Sequence, residues 1–82
     1  FDWDIEKNEK LIAQRGISFE EIVVYIEGGG VVDIVDNPRY PKQKVFVVDV
    51  QGFVYLVPFI ENEDAYFLKT VFSFSFLFFR LF

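Results

Sequence analysis

The side chains of this sequence that could do chemistry are mainly lysines, arginines and tyrosines. Its 82 residues include no cysteine and no histidine, which removes disulfides, thiol chemistry, imidazole catalysis and nearly every zinc arrangement. One reaction open to the remaining groups is RNA cleavage, which needs a base for the 2′-hydroxyl, an acid for the 5′-oxygen and cations beside the phosphate. The candidates for these roles are Lys7, Arg15, Arg39, Tyr40, Lys44 and Lys69.

A local cluster of basic residues lies between the first and second predicted strands and includes the first residue of the second. Arg39, Lys42 and Lys44 surround Tyr40 in sequence, and an aromatic ring beside cations is the combination that holds single-stranded RNA. We therefore expect Arg39, Tyr40, Lys42 and Lys44 to bind RNA. The alternative is a turn whose prolines fix the chain path and whose charges keep it soluble.

Three cations outside this cluster are candidates for catalysis. Lys7 and Arg15 belong to the first predicted helix, where their separation rotates them by roughly 80°, so that both could border one groove. Lys69 is the one charged residue of an apolar strand, and a charge there should emerge on a solvent or groove face. The alternatives are solvated helix charges for Lys7 and Arg15, and for Lys69 an edge-strand lysine that discourages sheet association.

The acidic residues and the glycines do not predict a cofactor site. Glu61, Glu63 and Asp64 lack the spacing of a calcium loop, and a solvated turn fits them better. The three glycines that start at Gly28 follow a helix and lack the Gly-Lys-Ser/Thr step of a phosphate loop. We expect no metal and no cofactor.

Composition limits the fold and the partners. Eight basic against thirteen acidic residues give a formal net charge of −5, so any RNA contact must use a local patch rather than bulk charge. The 52% of hydrophobic residues predicts a folded chain, and the length allows one domain, residues 1–82. The sequence contains neither a membrane-spanning run nor a signal peptide, so we expect a cytoplasmic protein that does not contact membranes.

Two helices are predicted at the N-terminus. The first runs from Asp4, its cap, to about Arg15, and Gly16 ends it. Its apolar stripe consists of Ile5, Leu11 and Ile12. The second begins at Phe19 behind a capping box and ends at Gly28. The capping box is formed by Ser18 and Glu21, with a hydrophobic staple between Ile17 and Ile22.

From residue 31 the apolar pattern alternates, which is typical of strands. The predicted strands span residues 31–36, 44–50, 53–60 and 65–72. Gln51 and Gly52 form a two-residue hairpin loop, in which glycine supplies the positive φ. Pro58 lacks an amide hydrogen, so it must face an edge, a bulge or a strand end. The fold class is therefore α+β, with two N-terminal helices packed on an antiparallel four-stranded meander.

Residues 72–82 form an atypical Phe-rich run. Six of the twelve phenylalanines lie here with one charged residue, Arg80, and such a run is an aggregation hazard if it is exposed. It could extend the last strand, pack as a terminal helix, or be covered by a partner or a second copy, which would make a homo-oligomer. A fourth alternative is that the encoded side chains of this run differ, which intact mass spectrometry would detect.

A family resemblance is carried by the N-terminal residues. The opening F-D-W-D-I-E-K-N and the later Q-R-G-I-S-F-E-E resemble the BrnT family of bacterial toxins. That family typically shows F-x-W-D-x-x-K-x, then a K-H-G or R-G step, then [VI]-S-F-E-E. Residues 44–59 and 66–71 are similar to its later part, so the resemblance covers residues 1 to about 71.

This resemblance implies a toxin of a type II toxin–antitoxin pair, with a RelE-like ribonuclease fold and a ribbon-helix-helix antitoxin as partner. It places Lys69 in the last strand of the family and favours Lys7, Arg15 and Lys69 as catalytic residues. Arg15 stands where many relatives have histidine, and the run 73–82 is aromatic where relatives usually carry a basic segment. These departures motivate the alternative, a non-catalytic toxin-like module that binds an antitoxin or self-associates.

Overall fold

Two helices and a six-stranded sheet make up the part of the chain that the computed structural model describes, residues 1–73. The elements are β1 (Asp2–Trp3), α1 (Ile5–Arg15), α2 (Phe19–Glu27), β2 (Val31–Asp36), β3 (Lys44–Val50), β4 (Phe53–Asn62), β5 (Ala65–Leu68) and β6 (Phe72–Ser73). The predicted α+β class is confirmed. The expectations for the Phe-rich run beyond residue 73 lie outside the described residues. Within the described range, neither helix has the length and apolar character needed to cross a membrane.

The ends of α1 are those that the sequence predicts, but its apolar stripe is not. The Asp4 side chain accepts a hydrogen bond from the Lys7 amide at 3.1 Å, and Gly16 ends the helix in the left-handed region, with φ 68°. The predicted stripe of Ile5, Leu11 and Ile12 is wrong, since only Leu11 is buried. Ile5 is 74% exposed and Ile12 is 51% exposed, because only a narrow face of α1 packs on the core.

A buried asparagine on α1 fixes the start of α2. Asn8 Nδ2 donates to Glu20 Oε1 at 2.6 Å, and Asn8 Oδ1 accepts from the Phe19 amide at 2.8 Å. The amide of Glu21, the third residue of the helix, donates to Ser18 Oγ at 3.1 Å, as the capping box predicts. Asn8 thus joins the two helices through polar contacts rather than apolar packing.

The core lies between α2 and one face of the sheet. Phe19 and Ile22 of α2 are fully buried and pack with sheet residues such as Val48 and Val57. Trp3 stacks on Phe19 with ring centroids 5.7 Å apart, as expected for a core anchor. Burial of each large apolar side chain stabilises the fold by about 1.5–3 kcal/mol.

The sheet has the strand order β1-β5-β4-β3-β2, with β6 also paired to β4. The four longer strands are antiparallel neighbours in the order that the sequence predicts. β1 lies parallel to β5, with Trp3 opposite Leu68. The sheet is therefore mixed and six-stranded within residues 1–73, rather than the purely antiparallel four-stranded meander expected, because two-residue strands are too short to show alternation.

A β-bulge interrupts the last predicted strand, residues 65–72. Leu68 pairs with Phe59 and Phe72 pairs with Leu56, so one strand advances by four residues while β4 advances by three. Pro58 lies opposite the interruption, and its carbonyl accepts from the Lys69 amide at 2.8 Å. The amide and carbonyl of a strand residue point to the same side, so the missing hydrogen of Pro58 faces the bulge, one of the three places predicted.

Candidate functional site

A cleft of about 610 Å³ lies beside the bulge, and we call it the basic cleft. Lys7 of α1 lines it, as do Arg39 and Tyr40 from the loop between β2 and β3. Lys69 and Phe72 line it from the two sides of the bulge. The basic cleft therefore brings together residues that are more than sixty positions apart in the chain.

All the charged residues among those lining the basic cleft are cations, namely Lys7, Arg39 and Lys69. The thirteen acidic residues all fall within residues 1–73, and none of them lines the cleft. Within the described chain no ion pair neutralises these three cations. A chain with a net charge of −5 thus has a local positive site, which attracts an anion through a cleft that focuses the field.

The loop that carries Arg39 and Tyr40 is organised by the side chain of Asn37, which is 7% exposed. Its Oδ1 accepts from the Arg39 amide at 3.0 Å and from the Tyr40 amide at 3.2 Å. Its Nδ2 donates to Gln43 Oε1 at 3.4 Å. These bonds fix the backbone of both cleft residues before any ligand arrives.

Asn37 is a residue that the sequence analysis did not single out. The available signal was the Asn37-Pro38 step, since asparagine before proline favours an Asx turn. A backbone pair completes the loop, because the Asn37 amide donates to the Gln43 carbonyl at 3.2 Å and the Gln43 amide donates to the Tyr40 carbonyl at 2.9 Å. The loop is thus an ordered turn that also forms one wall of the basic cleft. Its binding of RNA stays a prediction.

Lys69 lies on a groove face, as predicted for the one charge of its strand. Val57 and Phe59 belong to the core, so Pro58 between them lies on the opposite face of β4, and Lys69 pairs beside it. The Lys69 ammonium lies 5.3 Å from the ring centroid of Phe67, which is two residues earlier on the same face. The catalytic role of Lys69 stays a prediction.

Lys7 and Arg15 do not both line the basic cleft, so the expected shared groove holds for Lys7 alone. The Arg15 guanidinium lies over the ring of Phe72, 5.7 Å from its centroid. Phe72 in turn lines the cleft. Arg15 therefore contacts the edge of the site through Phe72. It comes eight positions after Lys7 on α1, which is about 12 Å along the helix axis.

A second, shallower cleft of about 410 Å³, which we call the side cleft, lies next to the basic cleft. Tyr40 and Gln43 line both clefts, and Lys42 and Ile60 line only the side cleft. Lys44, the remaining member of the predicted RNA-binding set, lines neither. It lies at the start of β3, opposite Asp36 and Phe59.

The described residues offer no cluster suited to a metal ion. Within positions 1–73, no group of three or more acidic residues is close enough to hold one. The buried side-chain nitrogens and oxygens of the same range all have hydrogen-bond partners.

Comparison with known proteins does not assign a family. No protein-family model, curated protein or solved structure matches the chain. The BrnT resemblance accordingly stays a prediction, and the function has to be argued from the basic cleft.

Proposed function

We propose that the chain binds single-stranded RNA in the basic cleft and cleaves it without a metal, as the toxin of a type II toxin–antitoxin pair. The observation that carries the proposal is the convergence of Lys7, Arg39 and Lys69 on one cleft that no acidic residue lines. Lysine and arginine beside an aromatic ring suit a flexible phosphate chain whose bases are free to stack.

Tyr40 favours an unpaired strand over a duplex. The residue is 54% exposed beside the basic cleft, and its backbone amide donates to Asn37 Oδ1. A base stacked on such a ring gains about 1–3 kcal/mol whatever its identity, provided that it is not already stacked in a helix. The cleft thus offers a phosphate site and a base platform side by side.

The cleavage step follows from the chemistry of RNA. The 2′-oxygen attacks the adjacent phosphorus, the bond from phosphorus to the 5′-oxygen breaks, and the products end in a 2′,3′-cyclic phosphate and a 5′-hydroxyl. A proton leaves the 2′-hydroxyl and another reaches the 5′-oxygen. We assign to Lys7, Arg39 and Lys69 the stabilisation of the charge that builds on the phosphate, which side-chain cations supply without imidazole.

The role as a toxin, the RelE-like fold and the ribbon-helix-helix antitoxin as partner rest on the BrnT resemblance. Two residues of that resemblance support the proposal by their positions. Lys7 lines the basic cleft, and Arg15 packs on Phe72 at its edge.

The test incubates the full chain with end-labelled single-stranded RNA and analyses the product ends. We expect 2′,3′-cyclic phosphate ends, and a strong loss of product with Lys69→Ala. Lys7→Ala has a matched control in Lys10→Ala, since both lysines are exposed on α1 and only Lys7 lines the cleft. Equal activity of the Lys7 and Lys10 variants, or full activity of Lys69→Ala, would contradict the assignment.

The alternative function is a non-catalytic module that binds an antitoxin or self-associates. One observation favours it: Ile5 and Ile12, two helical turns apart on α1, are both largely exposed. Light scattering of the isolated chain tests self-association, and RNA binding without product formation would favour this module over the nuclease. A soluble monomer that forms cyclic phosphate ends would remove the alternative.

A further inference from the structure

We infer that the side cleft is a second nucleotide subsite, which takes the base next to the phosphate held in the basic cleft. This inference rests on the proposed function and names its substrate more closely: a strand of at least two unpaired nucleotides. Its basis is that the two clefts adjoin each other, because Tyr40 and Gln43 line both of them.

The position of Tyr40 at the boundary between the two clefts suits an RNA strand that passes from one cleft to the other. Tyr40 stands between the clefts with about half of its surface exposed, so that its ring can separate two successive bases. The backbone on both sides of Tyr40 is fixed by Asn37 Oδ1 and by the Gln43 amide. Because this backbone is already ordered, a base that stacks on the ring does not have to order the loop as well.

The lining of the side cleft fits a base and its phosphate. Ile60 and Pro41 offer apolar surface for the face of a base, and Lys42 offers a cation for a phosphate. With Lys42 included, four of the seven basic residues within positions 1–73 line the two clefts, and no acidic residue lines either. This distribution of charge favours an anionic chain that runs through both clefts over an uncharged ligand or a peptide.

Gln43 adds a polar contact at the boundary. Its Oε1 accepts from Asn37 Nδ2, which leaves the Nε2 hydrogens without a partner in residues 1–73. An amide that presents donors prefers a base edge that carries a carbonyl oxygen. Uracil has two such oxygens, so uridine nucleotides are the first probes to use.

The experiment compares uridine 3′-monophosphate with the dinucleotide UpUp, whose first 2′-hydroxyl is replaced by 2′-O-methyl so that the proposed cleavage cannot consume it. Both are titrated into the full isotope-labelled chain and followed by NMR. We expect UpUp to bind about tenfold more tightly, from stacking of the second base. We also expect the amide signals of Lys42 and Ile60 to move with UpUp and to stay in place with the monophosphate.

Two variants distinguish a contact in the side cleft from a general effect of net charge. Lys42→Ala should reduce the gain for UpUp over the monophosphate to about threefold or less. Lys44→Ala, which removes the same charge two residues away from a position that lines neither cleft, should keep the full gain.

The outcomes separate the two proposals. Equal affinities for the two probes, or equal effects of the Lys42 and Lys44 variants, would overturn the subsite and leave the basic cleft in place. If neither probe nor longer single-stranded RNA binds the wild-type chain, the proposed function itself fails and the subsite fails with it.

Discussion

The Lys69 amide donates to the Pro58 carbonyl at 2.8 Å, and the nitrogen of Pro58 has no hydrogen to return the bond. The ladder between β4 and β5 therefore stops at this pair, and β6 resumes it one residue out of register. Both residues line the basic cleft, and Thr70 and Phe72 join them there. A single proline thus connects the break in the sheet to the shape of the site.

Pro58→Val should repair the ladder and weaken the site. Valine supplies the amide that can bond to the Lys69 carbonyl, so β5 should extend beyond Leu68. We expect slower hydrogen exchange of the amides of β5 and β6 that lie beside the substituted position, and weaker binding of single-stranded RNA because Thr70 and Phe72 move. Exchange rates and affinity equal to those of the wild type would show that the bulge does not depend on the proline.

Asn37→Ala should loosen the loop that bears the cleft residues. It removes the acceptor of the Arg39 and Tyr40 amides and a donor to Gln43, in a residue that is almost completely buried. The expected loss in the free energy of unfolding is about 1–3 kcal/mol, measured by urea denaturation. RNA affinity should fall in the folded variant as well. A variant of unchanged stability and affinity would mean that the prolines alone hold the loop.

Asn8→Ala tests the polar junction of the helices. The Phe19 amide would lose its acceptor in a buried place, which should cost about 1–3 kcal/mol in the free energy of unfolding. Gln14→Ala on the same helix is the matched control, since this residue is exposed and should change stability by no more than about 0.5 kcal/mol. Similar denaturation midpoints for the two variants would refute the importance of Asn8.

The β3–β4 hairpin gives a test of backbone conformation. Gln51 and Gly52 both have positive φ, 53° and 88°, and Asp49 Oδ1 accepts from the Gly52 amide at 2.8 Å. Gly52→Ala should lower the free energy of unfolding by about 1 kcal/mol, and Gln51→Asn should raise it slightly, because asparagine tolerates this region better. Thermal unfolding of the two variants should shift in opposite directions, and shifts in the same direction would contradict the turn assignment.

The helices and the longer strands could be predicted because their signals are local. The cap at Asp4, the capping box at Ser18 and the hairpin at Gly52 each specify a boundary through a few neighbouring residues. By contrast, β1 forms only because Trp3 meets Leu68 across the chain, and no local pattern reports that contact. The exposure of Ile5 likewise depends on how far α1 covers the sheet.

The sequence could predict which residue types form the candidate site, but not which of them lie together in the fold. The cluster of cations around Tyr40 was visible from the positions of these residues in the sequence. Lys69 was visible as the one charged residue among apolar neighbours. The bulge at Pro58 and the orientation of α1 decide which cations come together. As a result, Lys7 lines the basic cleft while Arg15 packs on Phe72. These relations are set by tertiary structure.

The most direct test of the central claim is the affinity of the full chain for single-stranded RNA in two double variants of equal charge. Lys7→Ala/Lys69→Ala and Lys10→Ala/Lys44→Ala each remove two cations and change the formal charge from −5 to −7. Fluorescence anisotropy at one fixed low salt concentration should show a loss of about 30-fold or more for the first pair, from two phosphate contacts, and a loss of about threefold or less for the second. Equal losses in the two pairs would contradict the claim that the basic cleft holds the RNA.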